Sequence, residues 1–428
     1  QKAGSMTSIL PEQLLRTLFE QAVAAADPVK VIPETLPPKP EGRVVVIGAG
    51  KASARMAEAV EQQWGPCEGL VITRYGYARP CKQIEIVEAS HPVPDQAGVV
   101  ATTRLLSLLA GLGKDDFVLC LISGGGSSLL VSPAGEISLE EKQAINSALL
   151  ASGAPIGKMN IVRKHLSRVK GGQLAAAAYP AKMLTLMISD VPGDDPAGIA
   201  SGPTVGDSGT TEQARAIIDE YALQLPQSAK DVLAAQTGVL HPDAESLSRV
   251  ENRIIAAPSR SLAVAADFAK EHGVEVQILG DALEGEARDL GHEQARLALQ
   301  IRADMKPGQP PVLLLSGGEC TVTRRGDGVG GPNAEFALSA AITLQGQDGI
   351  FAIACDTDGV DGAAEVAGAV IGPTTLGKSI NQGLNAEDYL NRNDSHSFFE
   401  AIGDQVIPGP TLTNVNDFHA FLIQPRKD

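Results

Sequence analysis

The sequence predicts an α/β protein of two domains, each built on a mainly parallel sheet flanked by helices. Length is the first observation, because 428 residues exceed the size at which one hydrophobic core usually stops growing. The second is a repeated pattern, in which a short apolar run leads into a glycine-rich loop and then into an amphipathic helical stretch. The third is composition, since 43% hydrophobic residues, 45 glycines and 27 prolines suit a compact chain with many tight turns.

In the N-terminal half, the predicted strands are short, almost continuous apolar runs. Runs of this kind are typical of strands that helices cover on both faces of a parallel sheet. The first run, Arg43–Ile47, passes through Gly48, Ala49 and Gly50 into a predicted helix. The predicted elements of this half are strands at 43–47, 69–73, 117–122 and 183–188, a helix at about 51–63 and a mostly helical stretch at 206–239.

A polar segment at 241–249 is the best candidate for a linker, and the strand-and-helix pattern begins again after it. We therefore predict an N-terminal domain over residues 6–245 and a C-terminal domain over 250–428. The alternative is that the region from about 250 to 300 completes the first sheet instead of opening the second domain. Residues before Met6 look like a cloning scar and carry no argument. The predicted elements of the second half are strands at 253–257, 274–279, 312–315, 349–354 and 418–423, and a helix at 286–303.

Charge and composition exclude several classes of partner. With 51 acidic and 35 basic residues the formal charge is −16, which opposes binding to nucleic acid or to an anionic membrane surface. No stretch reaches the roughly 18 apolar residues of a membrane span, and the N-terminus lacks a signal-peptide pattern. Five scattered cysteines favour free thiols in a reducing compartment. We expect a cytoplasmic protein, and the sequence leaves both a monomer and a homodimer open.

A glycine-rich loop follows the predicted strand at 117–122 and is a candidate anion site. Backbone amides can approach a phosphate closely where no Cβ intervenes, and hydroxyls at a helix start add donors. The plain alternative is a strand-to-helix turn, and the GxxxxGK[ST] pattern of a P-loop is absent. The stretch 313–321 also places Ser-Gly-Gly directly after a strand, where ligands of open parallel sheets bind. The loop residues are Gly124, Gly125, Gly126, Ser127 and Ser128.

Lys51 stands at the first turn of the helix that follows the first strand. A cation is unfavourable there, because the helix dipole places its positive end at the N-terminus. Lys51 is therefore either a solvated lysine or a clamp for a substrate carboxylate or a transferring phosphoryl group. The segment does not continue into GxGxxG, since Ala52 and Ser53 follow the lysine, and it gives little support to a dinucleotide site.

Two aspartate-rich loops follow predicted strands and could hold a divalent metal. Carboxylate oxygens are the ligands that magnesium prefers, and in phosphoryl transfer the metal offsets charge on the phosphates. Aspartates also cap turns and helices very often, so each one alone has a structural alternative. The six residues are Asp190, Asp194 and Asp195 in the first loop, and Asp356, Asp358 and Asp361 in the second.

The segment 160–172 concentrates positive charge in an acidic chain, as an anionic substrate requires. Arg163, Lys170 and the following Gly171 could face the site, although a run of charges is usually a solvated helix face. The chain has no HExxH, CxxC or GxSxG pattern, so zinc hydrolysis and serine esterase chemistry find no support.

Taken together, these segments resemble the type II glycerate kinases, whose C-terminal part is called the MOFRL domain. The resemblance spans almost the whole chain, and so many ordered matches are more specific than one motif. The segments that carry it are IGAGKAS at 47–53, EASHPVPD at 88–95, LISGGGSSLL at 121–130, NIVRKHLSRVKGG at 160–172, ISDVPGDDPAGIASGPTVGD at 188–207, LSGGECTV at 315–322, GVGGPNAEFAL at 328–338, DTDGVDG at 356–362 and TNVNDF at 413–418.

The resemblance implies two α/β domains, the N-terminal one Rossmann-like, with the active site in the cleft between them. It implies transfer of the γ-phosphoryl group of ATP, with Mg²⁺, to D-glycerate, giving 2-phosphoglycerate, with 3-phosphoglycerate as the alternative product. Lys51 would be the catalytic lysine, and Asp190 the base or a metal partner. The glycine loop would bind nucleotide phosphates, and Arg163, Lys170 and Gly171 the substrate. The residues expected from the second domain are Glu319, Asn333 and Glu335, with Asp356 and Asp358 as metal ligands.

One position departs from the pattern of this family, and two other functions stay open. Many members have an arginine where this chain has Pro332, so the corresponding positive charge would have to come from Arg324 or Arg325. Members are often labelled hydroxypyruvate reductases, so NAD(P)H-dependent reduction is the alternative chemistry, although the incomplete GxGxxG argues against it. A ligand-binding regulator without turnover is the third hypothesis, and Lys51 with two aspartate loops counts against it.

Overall fold

The computed structural model describes residues 9–427 and divides into two compact units. One unit is continuous, Pro28–Ile255, and the other combines the chain up to Asp27 with the chain from Ala256 onward. This division differs from the predicted one at two places: residues 9–27 pack with the C-terminal part of the chain, and the first unit extends to Ile255. We call Pro28–Ile255 the continuous unit and the other the discontinuous unit.

The helices and strands of both units are as follows. The α-helices are α1 Pro11–Ala24, α2 Pro28–Thr35, α3 Ser53–Trp64, α4 Gln96–Leu109, α5 Gly126–Leu129, α6 Leu139–Ala151, α7 Ile156–His165, α8 Gln173–Ala178, α9 Thr211–Glu220, α10 Gln227–Leu233, α11 Pro258–Glu271, α12 Ala287–Asp304, α13 Pro332–Leu344, α14 Thr375–Asn381, α15 Ala386–Asn391 and α16 Ser395–Ile402. The strands are β1 Val44–Ala49, β2 Glu68–Arg74, β3 Glu85–Ala89, β4 Phe117–Ile122, β5 Lys182–Ile188, β6 Val250–Ala256, β7 Glu275–Glu286, β8 Val312–Thr321, β9 Ile350–Asp356, β10 Gly368–Ile371, β11 Gln405–Val406 and β12 Asp417–Ile423. Short 3₁₀ helices lie at Pro192–Asp194, Ile199–Ser201 and Glu245–Leu247.

The sheet of the continuous unit has the strand order β3-β2-β1-β4-β5-β6. The ladders of β1 with β2 and β4, of β2 with β3, and of β4 with β5 are parallel. Every residue of β1 and of β4 is buried, as expected for central strands covered on both faces. This is the order of a doubly wound nucleotide-binding sheet, and it confirms the Rossmann-like prediction. The order reverses between β1 and β4, so ligands are expected beyond the carboxyl ends of these two strands.

Of the region 250–300, only the strand β6 completes the first sheet, whereas the rest belongs to the discontinuous unit. This strand lies beside β5, and the amide of Met183 at the start of β5 bonds to the carbonyl oxygen of Arg249 at 3.0 Å. The segment 241–249, predicted as a linker, includes a short 3₁₀ helix and leads directly into this strand. The stretch 206–239, predicted as mostly helical, contains α9 and α10 with irregular chain around them.

The sheet of the discontinuous unit has the order β11-β10-β9-β12-β8-β7 and mixed strand directions. Only β7 and β8 pair in parallel, whereas the ladders of β8 with β12, β12 with β9, β9 with β10 and β10 with β11 are antiparallel. The α/β class is confirmed in both units, but the mainly parallel pattern holds only in the first sheet. A buried apolar strand has the same composition in either direction, so its residues do not reveal its orientation.

Each unit has its own hydrophobic core around its sheet. In the continuous unit, residues of β1, β4 and β5 pack with α4, α8 and the turn at Ile199 and Ala200. In the discontinuous unit, α12 and α13 cover one face, while α1 and α11 cover the other. The side chains of Leu15 and Leu18 in α1 are fully buried. Among the described residues, no helix is both long and apolar enough to cross a membrane.

Candidate active site

The end of β1 is locked to the end of β4, and this contact places Lys51. The backbone at Gly50 has φ +146°, and a Cβ there would lie 2.0 Å from the Ser123 Oγ, so only glycine fits. The amide of Lys51 donates to the carbonyl oxygen of Gly124 at 2.8 Å, and the amide of Ala52 donates to the Ser123 Oγ at 3.1 Å. Lys51 therefore lies beside the glycine loop. It precedes α3, which begins at Ser53, and does not stand in the first turn of the helix as the sequence predicted.

Gly125 is the point at which the glycine loop meets two side chains. Its φ is +87°, and a Cβ there would lie 2.9 Å from the His91 Cδ2 and 3.2 Å from the Lys51 Cγ. Lys51 and His91 thus both pack against the backbone of this glycine. The sequence did not single out His91 as a site residue. The available signal was its position in the EASHPVPD segment directly after the edge strand β3.

The loop presents donors at the carboxyl end of β4. Among residues 9–427, the amides of Gly124 and Gly125 have no hydrogen-bond acceptor in the chain. The Ser128 Oγ donates to the Gly125 carbonyl oxygen at 3.2 Å and closes the turn, whereas Ser127 is exposed and its Oγ lies 2.8 Å from the Ser201 Oγ. Unsatisfied amides at the end of a central strand suit an anion, because each would gain a charged acceptor.

Lys170 supports the same loop directly, and Gly171 bonds to the neighbouring turn at Ser201. The ammonium of Lys170 is buried and donates to the Ser127 carbonyl oxygen at 2.8 Å. Burial lowers the pKa of Lys170 well below the usual lysine value, and the nearby charge of Lys142 adds to this effect. The amide of Gly171 (φ +62°) bonds to the Ser201 carbonyl oxygen at 3.2 Å. The structure therefore brings Lys51, the glycine loop, Lys170 and Gly171 together.

The first aspartate loop follows β5, the neighbour of β4 in the sheet. Asp190 is half-buried and lies two residues past the strand. Asp194 accepts the Ser189 hydroxyl at 2.7 Å, and Asp195 accepts the Ala197 amide at 3.0 Å. The last two carboxylates therefore order the turn, as the capping alternative proposed, and Asp190 is the remaining candidate for chemistry.

Arg163 has different neighbours from Lys170, although the two were predicted to act together. Its Nε and Nη2 donate to the Asn146 Oδ1 at 2.9 and 2.7 Å, and its Nη1 donates to the Asn160 Oδ1 at 3.2 Å. The guanidinium lines a small cavity between α6 and α7. Because these asparagines and the cavity surround Arg163, we do not propose that it contacts the substrate.

In the discontinuous unit, Asn333 is the centre of a buried hydrogen-bond network. Its Nδ2 donates to the Asp361 Oδ1 at 3.2 Å and to the Asp417 Oδ1 at 2.8 Å, while its Oδ1 lies 2.7 Å from the His419 Nε2. Asp361 also accepts the amides of Asn333 and Ala334 at 2.8 and 2.9 Å and so caps α13. Because the Asn333 side chain is fully buried with these partners, it positions the network and does not offer a donor to a nucleotide.

Three buried side chains of this network come close enough to hold a metal: Cys320, Asp417 and His419, whose ligand atoms lie within 4.8 Å of one another. Burial raises the pKa of Asp417 to about 7 and lowers that of His419 to about 3. Burial also raises the pKa of the Cys320 thiol. A thiol and an imidazole are poor ligands for magnesium, so this cluster does not fit the predicted ion.

The second aspartate loop offers the oxygen ligands that magnesium prefers. Asp356 ends β9, and its Oδ1 accepts the amide of Asp358 at 3.0 Å. The Asp358 Oδ1 in turn accepts the amide of Val360 at 2.8 Å. The turn therefore orders two carboxylates at the end of a strand, and their chemistry fits Mg²⁺. Glu319 is exposed on β8, whereas Asp361 has the capping role described above.

Glu335, which was expected to face the site, is buried and has partners within its own unit. Its side chain is buried in α13, where its Oε1 accepts from the Arg288 guanidinium at 3.1 Å and from the Asn393 amide at 2.9 Å. Pro332 is the first residue of α13, a position that proline favours because the amide there needs no partner. Arg324 donates to the Gly328 carbonyl oxygen at 3.0 Å.

Two family models match the chain. A domain of unknown function (DUF4147) matches residues 14–234, and the MOFRL family matches residues 312–417. One match thus falls mainly in each half of the chain.

Two curated relatives and a solved structure cover almost the whole chain. A putative hydroxypyruvate reductase of Agrobacterium vitis is 52% identical over 415 residues, which is 96% of this chain and 94% of that protein. The D-glycerate 2-kinase of Thermotoga maritima is 39% identical over 419 residues, 96% of this chain and 99% of that protein. The crystal structure of a Thermotoga maritima glycerate kinase superposes with a TM-score of 0.87 at 39% identity, covering 96% of this chain and 99% of that one.

Proposed function

This chain belongs to the MOFRL family, and from that premise we propose that it is a kinase that transfers the γ-phosphoryl group of ATP to D-glycerate. The single observation that carries the proposal is the junction of Lys51 with the glycine loop. There, Lys51 packs on Gly125, and the amides of Gly124 and Gly125 have no hydrogen-bond acceptor among the described residues. A cation and open amides at the switch point of a doubly wound sheet suit a polyphosphate. The Thermotoga relative with the name D-glycerate 2-kinase supports the substrate.

Roles for the residues follow from their chemistry. The amides and hydroxyls of Gly124–Ser128 bind phosphate oxygens, and Lys51 offsets the negative charge that is shared between phosphates in the transition state. Lys170 fixes the backbone of this loop at Ser127, and Gly171 fixes the turn at Ser201 beside it; both would thereby shape the binding site of the acid substrate. Asp190 accepts or orients the proton of the attacking hydroxyl.

The proposed reaction also requires Mg²⁺. When bound, the ion would offset charge on the phosphates. In the discontinuous unit, Asp356 and Asp358 have the oxygen chemistry to hold it; in the continuous unit, Asp190 is the candidate ligand. Glu319 stays a predicted nucleotide contact, whereas the Asn333 side chain holds β12 through Asp417 and His419. We propose 2-phosphoglycerate as the product and the cytoplasm as the setting.

The second candidate is NAD(P)H-dependent reduction of hydroxypyruvate. The strand order of the first sheet and the name of the Agrobacterium vitis relative favour it. Two features weigh against it. The third glycine of GxGxxG is absent, and the Ser123 Oγ already occupies the space beside Gly50, 2.0 Å from where a Cβ would lie. A dinucleotide pyrophosphate needs its close approach at that same turn.

One preparation decides between the two functions. ADP release is measured with D-glycerate, ATP and Mg²⁺, and oxidation of NADH and NADPH is measured with hydroxypyruvate. We expect glycerate-dependent ADP release without nicotinamide oxidation; the reverse result would mean that the glycine loop serves a dinucleotide. Enolase distinguishes the products, because it dehydrates 2-phosphoglycerate directly and does not act on 3-phosphoglycerate.

The role of Lys51 is tested by Lys51→Ala. We expect this variant to lose most turnover while it keeps the unfolding midpoint of the parent. Lys39→Ala, at an exposed lysine of the same unit, is the control and should keep full activity. Near-parental turnover in Lys51→Ala would remove the lysine from the mechanism.

A further inference from the structure

A small cavity between α6 and α7 carries positive charge that the chain does not neutralise. Its polar wall is formed by Lys142, Asn146 and Arg163, and its apolar wall by Ile145, Leu149 and Leu166. All of these residues belong to the continuous unit. The enclosed volume of the cavity is only about 20 Å³, and it is open on one side, so it admits a small polar group while the rest of a ligand lies at its opening.

The two cations at this cavity have no acidic partner. Among the described residues, neither Lys142 nor Arg163 forms a salt bridge, although both are half-buried. Lys164, which follows Arg163 in the chain, shows the usual arrangement, because its ammonium lies 2.6 Å from an Asp207 carboxylate oxygen. Burial lowers the pKa of Lys142, and the charge of Arg163 lowers it further; burial also lowers the pKa of Arg163. Cations that lose water without a counter-charge are costly to the fold.

Asn146 orients the guanidinium toward one side of the cavity. Because its Oδ1 accepts from both the Nε and the Nη2 of Arg163, the guanidinium is held in one orientation. Because the Nη1 also donates to the Asn160 Oδ1, two guanidinium hydrogens and the ammonium of Lys142 are the donors left for a bound group. The leucine and isoleucine side chains opposite exclude a strongly hydrated ligand on that side.

We propose that this cavity binds a short-chain carboxylate, with its carboxylate between Lys142 and Arg163 and its alkyl group against Ile145 and Leu149. The charge of such a ligand supplies the counter-ion that the chain lacks, and its alkyl group fits the apolar wall. Glycerate is a poor match, because two hydroxyl groups would face that wall. The cavity would therefore be a second anion site, because none of its lining residues belongs to the glycine loop, although its cations are near enough to Lys170 to lower the pKa of that lysine.

Propionate and its neutral isostere propionamide are the probes, and binding is measured by calorimetry on the full chain without ATP. We expect propionate to bind and propionamide not to bind. Lys142→Gln should weaken propionate about tenfold, since one charge-assisted hydrogen bond is lost, while Lys142→Arg, which keeps the charge, should retain most of the affinity. Lys158→Gln on α7 is the matched control, because Lys158 is exposed and pairs with Glu220, and it should bind propionate like the parent.

Three results would overturn the proposal. Equal binding of propionate and propionamide, or no binding of either, would show that the charge does not recruit a carboxylate. Unchanged affinity in Lys142→Gln would place any bound propionate elsewhere. If D-glycerate displaced propionate at the concentrations that half-saturate turnover, the cavity would be part of the acceptor site. If chloride displaced propionate as effectively as butyrate does, the cavity would be a simple halide site.

Discussion

Replacing Gly125 with alanine tests whether the contact between the glycine loop and Lys51 sets the rate of the proposed reaction. The substitution has two separable effects. Alanine at φ +87° costs about 1–2 kcal/mol, because an L side chain is strained in the left-handed region. In addition, the new Cβ would lie 2.9 Å from the His91 Cδ2 and 3.2 Å from the Lys51 Cγ, so both side chains must move by a few tenths of an ångström.

The expected loss of activity follows from that displacement. A shift of about 1 Å in a positioned group can cost about 100-fold in rate, so a few tenths should lower kcat/KM about tenfold. Gly76→Ala is the matched control, because Gly76 has nearly the same φ of +85° in the same unit, and a Cβ there would have nothing within 4 Å. Both variants should unfold about 2–8 °C below the parent, since each introduces the same backbone strain.

The assay is glycerate-dependent ADP release, with unfolding midpoints measured on the same samples. We expect the two variants to share their loss of stability and to differ about tenfold in kcat/KM. Equal kcat/KM in Gly125→Ala and Gly76→Ala would refute the reasoning, because it would show that the position of Lys51 does not limit the rate.

Two further predictions concern stability. Burial raises the pKa of Asp417 to about 7, so the folded chain holds a proton that the unfolded chain releases near the usual value of 3.8. The contribution of this group to the free energy of unfolding therefore falls as pH rises from about 4 to 7. In Asp417→Asn, the free energy of urea unfolding should no longer show that fall, and parallel pH profiles for parent and variant would contradict the prediction. Lys164→Met leaves the carboxylate of Asp207 without its cation and should cost about 3–5 kcal/mol in urea unfolding, whereas Lys158→Met, at an exposed pair, should cause no measurable loss, and similar losses in both would contradict the difference in burial.

The first sheet could be predicted well because its central strands are buried on both faces. The run at 117–122 matches β4 residue for residue, and β1 and β5 differ from prediction by one or two residues. The edge strand β3 was missed, since its glutamates interrupt the apolar run and only Ala89 is fully buried. In the second sheet the positions of β9 and β12 were predicted, but not their antiparallel pairing, which depends on the chain that connects them.

The site was predictable where strand adjacency alone decides the geometry. Lys51 and the glycine loop follow two strands that proved to be neighbours in one parallel sheet, so their side chains had to meet at the same edge. Burial could not be predicted in the same way. Glu335 and Asn333 look like polar residues at an accessible helix start, yet α13 is buried on almost every face, so both are partnered inside the unit. Arg163 likewise gave no sign that an asparagine would hold it.

The path of the chain through the two units has a consequence for synthesis. Helix α1 emerges from the ribosome before the continuous unit, but the surfaces that cover Leu15 and Phe19 include Leu262 of α11 and Phe418 of β12. The continuous unit, Pro28–Ile255, is complete long before those strands are translated, so it can fold while α1 still lacks a partner. The apolar face of α1 must then remain unpaired until the last strand is made. For the same reason, a fragment that starts at Ala256 would expose the sheet face that α1 covers. We expect such a fragment to be expressed in folded form only when α1 is fused to it.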